Sequence, residues 1–113
     1  MNNKVVDINK KLVERYIEQN RPPIEIRDQL DIGYMHERNS FEICKIRPIW
    51  DRENEFQQLS FAKFKYIKTQ KIWKLYWMRA SGKWQSYEPF PNSTNLQEIL
   101  DCVDADAYGC FRG

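Results

Sequence analysis

Between Phe61 and Tyr87 the chain reads FAKFKYIKTQKIWKLYWMRASGKWQSY, with apolar and polar residues alternating at period two around two turn signals. A stretch of this kind has few ways to fold, and the spacing predicts a three-stranded antiparallel meander. A two-residue turn at Thr69-Gln70 sets Tyr66 opposite Trp73, Phe64 opposite Leu75 and Ala62 opposite Trp77. A second at Ser81-Gly82 sets Arg79 opposite Trp84 and Trp77 opposite Ser86. One face then carries Ala62, Phe64, Tyr66, Trp73, Leu75, Trp77 and Trp84, which makes a core. The other carries Lys63, Lys65, Lys74, Tyr76, Met78, Gln85 and Tyr87, and what that face is for becomes the functional question.

Charge sharpens the question. Residues 60–87 hold seven basic side chains and no acid, whereas residues 88–113 hold one basic and five acidic ones. Either the two segments neutralise each other, or the sheet offers a basic face to an anionic partner. With 113 residues, 42% hydrophobic and 14% aromatic, the chain suits a single packed domain spanning 1–113. No apolar run reaches the ~18 residues of a membrane span. The opening MNNKVVDINKK has no apolar core of a secretory signal. Cys44, Cys102 and Cys110 lack metal-site spacing, and reduced thiols in the cytoplasm are the expectation.

Val5, Ile8, Leu12 and Tyr16, widened by Val13 and Ile17, predict an amphipathic helix over Lys4 to Gln19 that stops before Arg21-Pro22-Pro23. Ile24 to Tyr34 is read as extended and Phe41 to Pro48 as its returning partner. A three-residue loop at Arg38-Asn39-Ser40 pairs Tyr34 with Cys44, Ile32 with Ile46 and Asp31 with Arg47; a two-residue loop would put Ile32 against Lys45. Ile49 to Leu59 reads as a surface loop or helical turn, with Trp50 expected to be buried. After Glu88-Pro89-Phe90-Pro91, the pairs Thr94/Gln97 and Asn95/Glu98 each make a capping box. Leu96, Ile99, Leu100 and Val103 supply the stripe of a second helix, and the tail YGCFRG is apolar enough to dock. The fold class is therefore α+β: an N-terminal helix, a five-stranded mainly antiparallel sheet (hairpin plus meander) and a C-terminal helix, both helices on one sheet face.

Several stretches together resemble a family of short, uncharacterised bacterial proteins, a domain-of-unknown-function family. They are RPP–IR–QLD–Y (Arg21 to Tyr34), RP–W (Arg47 to Trp50), AK (Ala62-Lys63), WKLYWMR–GKW–Y (Trp73 to Tyr87) and GCF–G (Gly109 to Gly113). The resemblance implies a small cytoplasmic bacterial protein and brings no assigned activity, cofactor or catalytic residue.

Catalytic chemistry finds little to work with. His36 is the single histidine, expected to face Glu42 in solvent, away from Cys44. Phosphate-cradling glycine loops are absent, and no metal ligands or cofactor-binding residues stand out. Asp28, Asp31, Glu42 and Lys45 form the sort of carboxylate–lysine set that any charged chain offers. The basic face is the stronger signal. Lys65 opposes Lys74, where like charges repel, and aromatics interleave them. A water-facing sheet is often rich in Lys and Tyr. The same mixture binds single-stranded nucleic acid, rings stacking on bases and cations tracking phosphates. The candidate ligand-binding residues are Lys63, Lys65, Lys74, Tyr76 and Tyr87, in a non-catalytic binding or accessory protein. The alternatives are a metal-dependent enzyme acting on nucleic acid, with carboxylates near Asp31 serving the metal, and a face used only for homodimerisation.

Overall fold

Proline chemistry ends the first helix where expected: α1 runs Asn3–Asn20 and stops at Arg21-Pro22-Pro23. The structure is a computed structural model that describes residues 3–112, with side chains from residue 8 onward. The expected place of the Val5 side chain in the helix stripe therefore lies outside the described side chains, and that of Gly113 in the tail outside the described residues. Val13, Tyr16 and Ile17 are buried and Leu12 packs against the core, while Ile8 is 59% exposed. The segment after the prolines is not extended. Ile24–Ile26 forms a 3₁₀ turn whose hydrogen bonds carry the chain round to Leu30.

Six strands follow: β1 Asp31–Glu37, β2 Ser40–Pro48, β3 Phe56–Ile67, β4 Ile72–Met78, β5 Trp84–Ser86 and β6 Asn92–Ser93, then helix α2 Leu96–Ala105. β1 to β5 lie in sequence order, every pairing antiparallel, and β6 also pairs with β4. β5 and β6 occupy one edge of β4 in succession. Residues 87–91, with their two prolines, loop out between them, and the Leu75 amide donates to Pro91 O at 3.0 Å as the chain returns. The α+β class, the antiparallel sheet and the two terminal helices are as the sequence predicts.

Three registers decide which side chains reach the core. β3 and β4 pair as predicted, Ala62 with Trp77, Phe64 with Leu75 and Tyr66 with Trp73. Their connection is a four-residue loop over 68–71 with Lys71 at φ 55°, symmetrical about the predicted turn centre. β1 and β2 take the two-residue connection instead of the three-residue one: Ile32 lies opposite Lys45, Gly33 opposite Cys44 and Tyr34 opposite Ile43. Asp31 is thus opposite Ile46 rather than Arg47. One lysine opposite Ile32 is tolerated because the slip brings Phe41 and Ile43 onto the helix side, where they are 2% and 0% exposed. Cys44 moves to the other side, its thiol pushed up by burial. Gly33 leaves room there: a Cβ in its place would sit 3.0 Å from Ile46 Cδ1.

β4 and β5 are also one residue away from expectation. Arg79 pairs with Lys83, so the loop is Ala80-Ser81-Gly82, and Gly82 at φ 85° occupies the left-handed position that closes such a three-residue turn. The slip exchanges the faces of β5. Trp84 now lies opposite Met78, and the Tyr87 amide donates to Leu75 O at 2.9 Å. Tyr87 is 2% exposed and joins the core, its ring 4.8 Å from Phe111 of the docked tail.

The core is one cluster. Ile32, Phe41, Ile43, Ala62, Phe64, Trp73, Leu75 and Tyr87 from the sheet meet Val13, Tyr16 and Ile17 of α1 and Leu96, Ile99, Leu100 and Val103 of α2. Phe61 joins them through a bulge: Ile43 faces Ala62 but Cys44 faces Ser60, leaving Phe61 as the extra residue. The α2 cap is a relay rather than a two-member box. The Asn95 carbonyl side chain accepts from the Gln97 amide, while Ser93 Oγ accepts from the Asn95 amide and donates to Glu98. Asp106 ends the helix in the left-handed conformation and accepts from the Phe111 and Arg112 amides, which fixes the tail.

Candidate functional site

The face turned away from the helices is built by register. Along one row Met35, Glu42, Lys63, Tyr76 and Ser86 are successive cross-strand partners. Along the next run Glu37, Ser40, Lys65, Lys74 and Asn92. Strand alternation places these residues together, since every second side chain on each strand must point the same way. Lys63, Lys65, Lys74 and Tyr76 are therefore neighbours, as the sequence predicts. Tyr87 is not with them; the register slip of β5 puts it in the core and delivers Trp84 in its place.

Trp84 is half-buried, and Lys63 Nζ stands 5.9 Å from its ring centroid, a cation–π distance. The expected Arg79–Trp84 pair does not form, because Arg79 lies opposite Lys83. Trp84 was legible in principle. A glycine in the third loop position is the mark of a three-residue hairpin turn, and that count would have turned β5 over. The basic character of the face is also less uniform than the Phe61–Tyr87 stretch suggests. β1 and β2 bring Glu37 and Glu42 to it, and Glu42 is the direct partner of Lys63. Among the described residues no carboxylate comes within 4 Å of Lys63, Lys65 or Lys74. Towards the β1–β2 turn the face dips into a shallow groove lined by Glu37, Arg38, Asn39, Ser40, Lys63 and Lys65.

The carboxylate–lysine set does not assemble. Asp31 is held by Arg21, Nε to Oδ1 at 3.0 Å and Nη2 to Oδ2 at 2.8 Å, and Oδ1 also accepts the Ile32 amide. The Arg21 guanidinium keeps this carboxyl below its ordinary range. Glu42 and Lys45 lie on opposite faces of β2, since Glu42 pairs with Met35 and Lys45 with Ile32. Among the described residues no three of His, Cys, Asp and Glu come together in a way that would hold a metal. His36 lies opposite Phe41 and stacks on it, centroids 4.2 Å apart and planes 4° from parallel, on the other side of the sheet from Cys44. The expected contact with Glu42 is absent because the hairpin has slipped.

No helix among the described residues is long and apolar enough to cross a membrane. The model of a family described as a domain of unknown function, DUF3024, matches residues 1–113, and the chain belongs to that family. No curated protein and no solved structure matches it.

Proposed function

We propose that this family member is a small binding or accessory protein that works without catalysis, its open sheet face taking single-stranded nucleic acid or a similar anionic chain. The observation that carries this reading is the opposition of Lys65 and Lys74, with Lys63 held over the Trp84 ring and Tyr76 between. Like charges set directly opposite each other cost stability, so a phosphate lying across the pair would relieve that repulsion. Trp84 and Tyr76 supply π-faces of the kind on which bases stack regardless of sequence. Glu37 and Glu42 confine the cationic surface to the β3–β5 half of the sheet. A bacterial, cytoplasmic setting suits three unpaired thiols. Enzymatic readings lose support from Asp31, whose two oxygens are engaged by Arg21.

Fluorescence anisotropy with a labelled single-stranded oligonucleotide tests the reading. Each neutralised phosphate adds about 0.7 to the slope of log affinity against log salt, so three lysines give a slope of about −2. Lys74→Ala should reduce that slope by less than about one unit. Tyr76→Ala and Trp84→Ala should each weaken binding by ~1–3 kcal/mol. Absence of binding at low salt would end the proposal, and light scattering would then show whether the face is covered in a homodimer.

A further inference from the structure

A second cleft opens on the helix side of the sheet, at the end where the β1–β2 turn meets the β3–β4 loop. Its volume is about 400 Å³, within the range of roughly 300–1,000 Å³ usual for small-molecule sites. Four rings line it. Phe41 and Trp73 are 2% and 5% exposed, with centroids 6.1 Å apart. Tyr66 lies 5.1 Å from Trp73, and the exposed His36 ring is stacked on Phe41. Arg38 and Lys68 join Asn9, Asn39 and Thr94 in the rest of the lining, which contains no carboxylate among the described residues. Neither cation has an ion-pair partner among the described residues. The Arg38-Asn39 turn is anchored, since the Tyr66 amide donates to Asn39 O at 2.7 Å.

The composition of this cleft is unusual for a sheet end left to water. Rings from four strands converge on it, cations come from two separate loops, and acids are missing from its described lining although the chain holds sixteen. Aromatic walls select a flat π-system, and two unpaired cations select a negative group attached to it. We propose that this cleft binds a nucleoside phosphate, the base lying against the His36, Tyr66 and Trp73 rings and the phosphate meeting Arg38 and Lys68. The site shares none of Lys63, Lys65, Lys74, Tyr76 and Trp84 with the open face; Arg38 and Asn39, at the turn between the two, line both.

The test is an NMR titration of the full chain with adenosine monophosphate, adenosine and inorganic phosphate in parallel. The monophosphate should perturb the His36 and Tyr66 amides and the Trp73 indole, and bind more tightly than either fragment. Lys68→Ala should weaken the monophosphate by about tenfold, the effect of losing one charge-assisted contact, and leave adenosine unchanged. Lys68 is exposed, so the variant's own spectrum will report an intact fold. Equal affinity for adenosine and its monophosphate, or perturbation confined to Trp84 and Tyr76, overturns the proposal. Monophosphate binding without oligonucleotide binding would remove the open-face reading alone, and the converse would remove the cleft alone.

Discussion

Tyr87 and Trp84 stand three residues apart and were expected on each other's faces. Their exchange shows how much one residue of register is worth. Tyr87 is sealed against Phe111, and burial pushes its phenol up. Tyr87→Ala should cost about 3–5 kcal/mol in urea denaturation, as for other large buried aromatics. Trp84→Ala, which forfeits a cation–π contact on an accessible face, should cost about 1 kcal/mol. The reverse order would restore the register expected from the sequence. Asp31 gives a prediction with pH. Its folded carboxyl titrates below the ordinary value, so the stabilisation from Arg21 is present above the unfolded carboxyl range and lost as pH falls through the lower folded value. Asp31→Asn should therefore melt below the wild type at neutral pH, the difference shrinking as the solution is acidified below about pH 4. A gap in melting temperature that stays constant down to the acid limit would show that the pair carries no linkage.

At the scale of elements, what could be read depended on how each hairpin turns. The β3–β4 register was legible because its loop is centred on Thr69-Gln70, whichever length it takes. Two other hairpins were misread for a physical reason. Pairing arguments weigh only the side chains that meet, whereas loop length is set by which residue accepts a positive φ. At Arg38-Asn39 neither residue adopts one, and the connection is the shorter. At Gly82 the glycine does, and the longer one prevails. Gly82→Ala should cost about 1–2 kcal/mol, the penalty of an L-residue in left-handed backbone. Among the described residues no atom beyond its two chain neighbours lies within 4 Å of where the new methyl would stand, so the cost is conformational. Gly82→Asn should recover part of it, because asparagine visits that region more readily. Urea titration of both variants measures this. Equal stability of alanine and glycine would place the positive φ elsewhere. The helices were legible throughout, since a stripe and a proline stop agree in α1, and a stripe and a capping signal agree in α2. The nonlocal parts of the candidate sites were not. Glu42 reaches the open face, and His36 the helix-side cleft, only through a register that no local pattern specifies.

On the scale of the whole molecule, the expectation that failed most plainly concerns Trp50, which is 94% exposed instead of lying over the core. The topology explains it. β1 begins opposite Ile46, and β4 reaches no further along β3 than Ala62. Beyond those points β2 and β3 pair only with each other, so Arg47 and Pro48 with Phe56 and Gln57 project from the sheet as a two-stranded arm, rooted at Gln58 and Leu59 and carrying Trp50 at its tip. Phe56 and Leu59 on this arm are 52% and 46% exposed. The Cα radius of gyration reflects the projection, 14.7 Å against roughly 13 Å for a compact chain of this length. An aromatic in that position makes almost no folding contact. Trp50→Ser should accordingly leave the unfolding free energy within ~0.5 kcal/mol of wild type. It should also remove most of the fluorescence that iodide quenches readily, since Trp73 is 5% exposed and Trp77 and Trp84 are half-buried. A loss of stability well beyond that margin would mean that Trp50 is covered in solution. If a second copy of the chain covers it, the melting temperature should rise with protein concentration, as linkage to association requires, and the Trp50→Ser variant should lose that dependence.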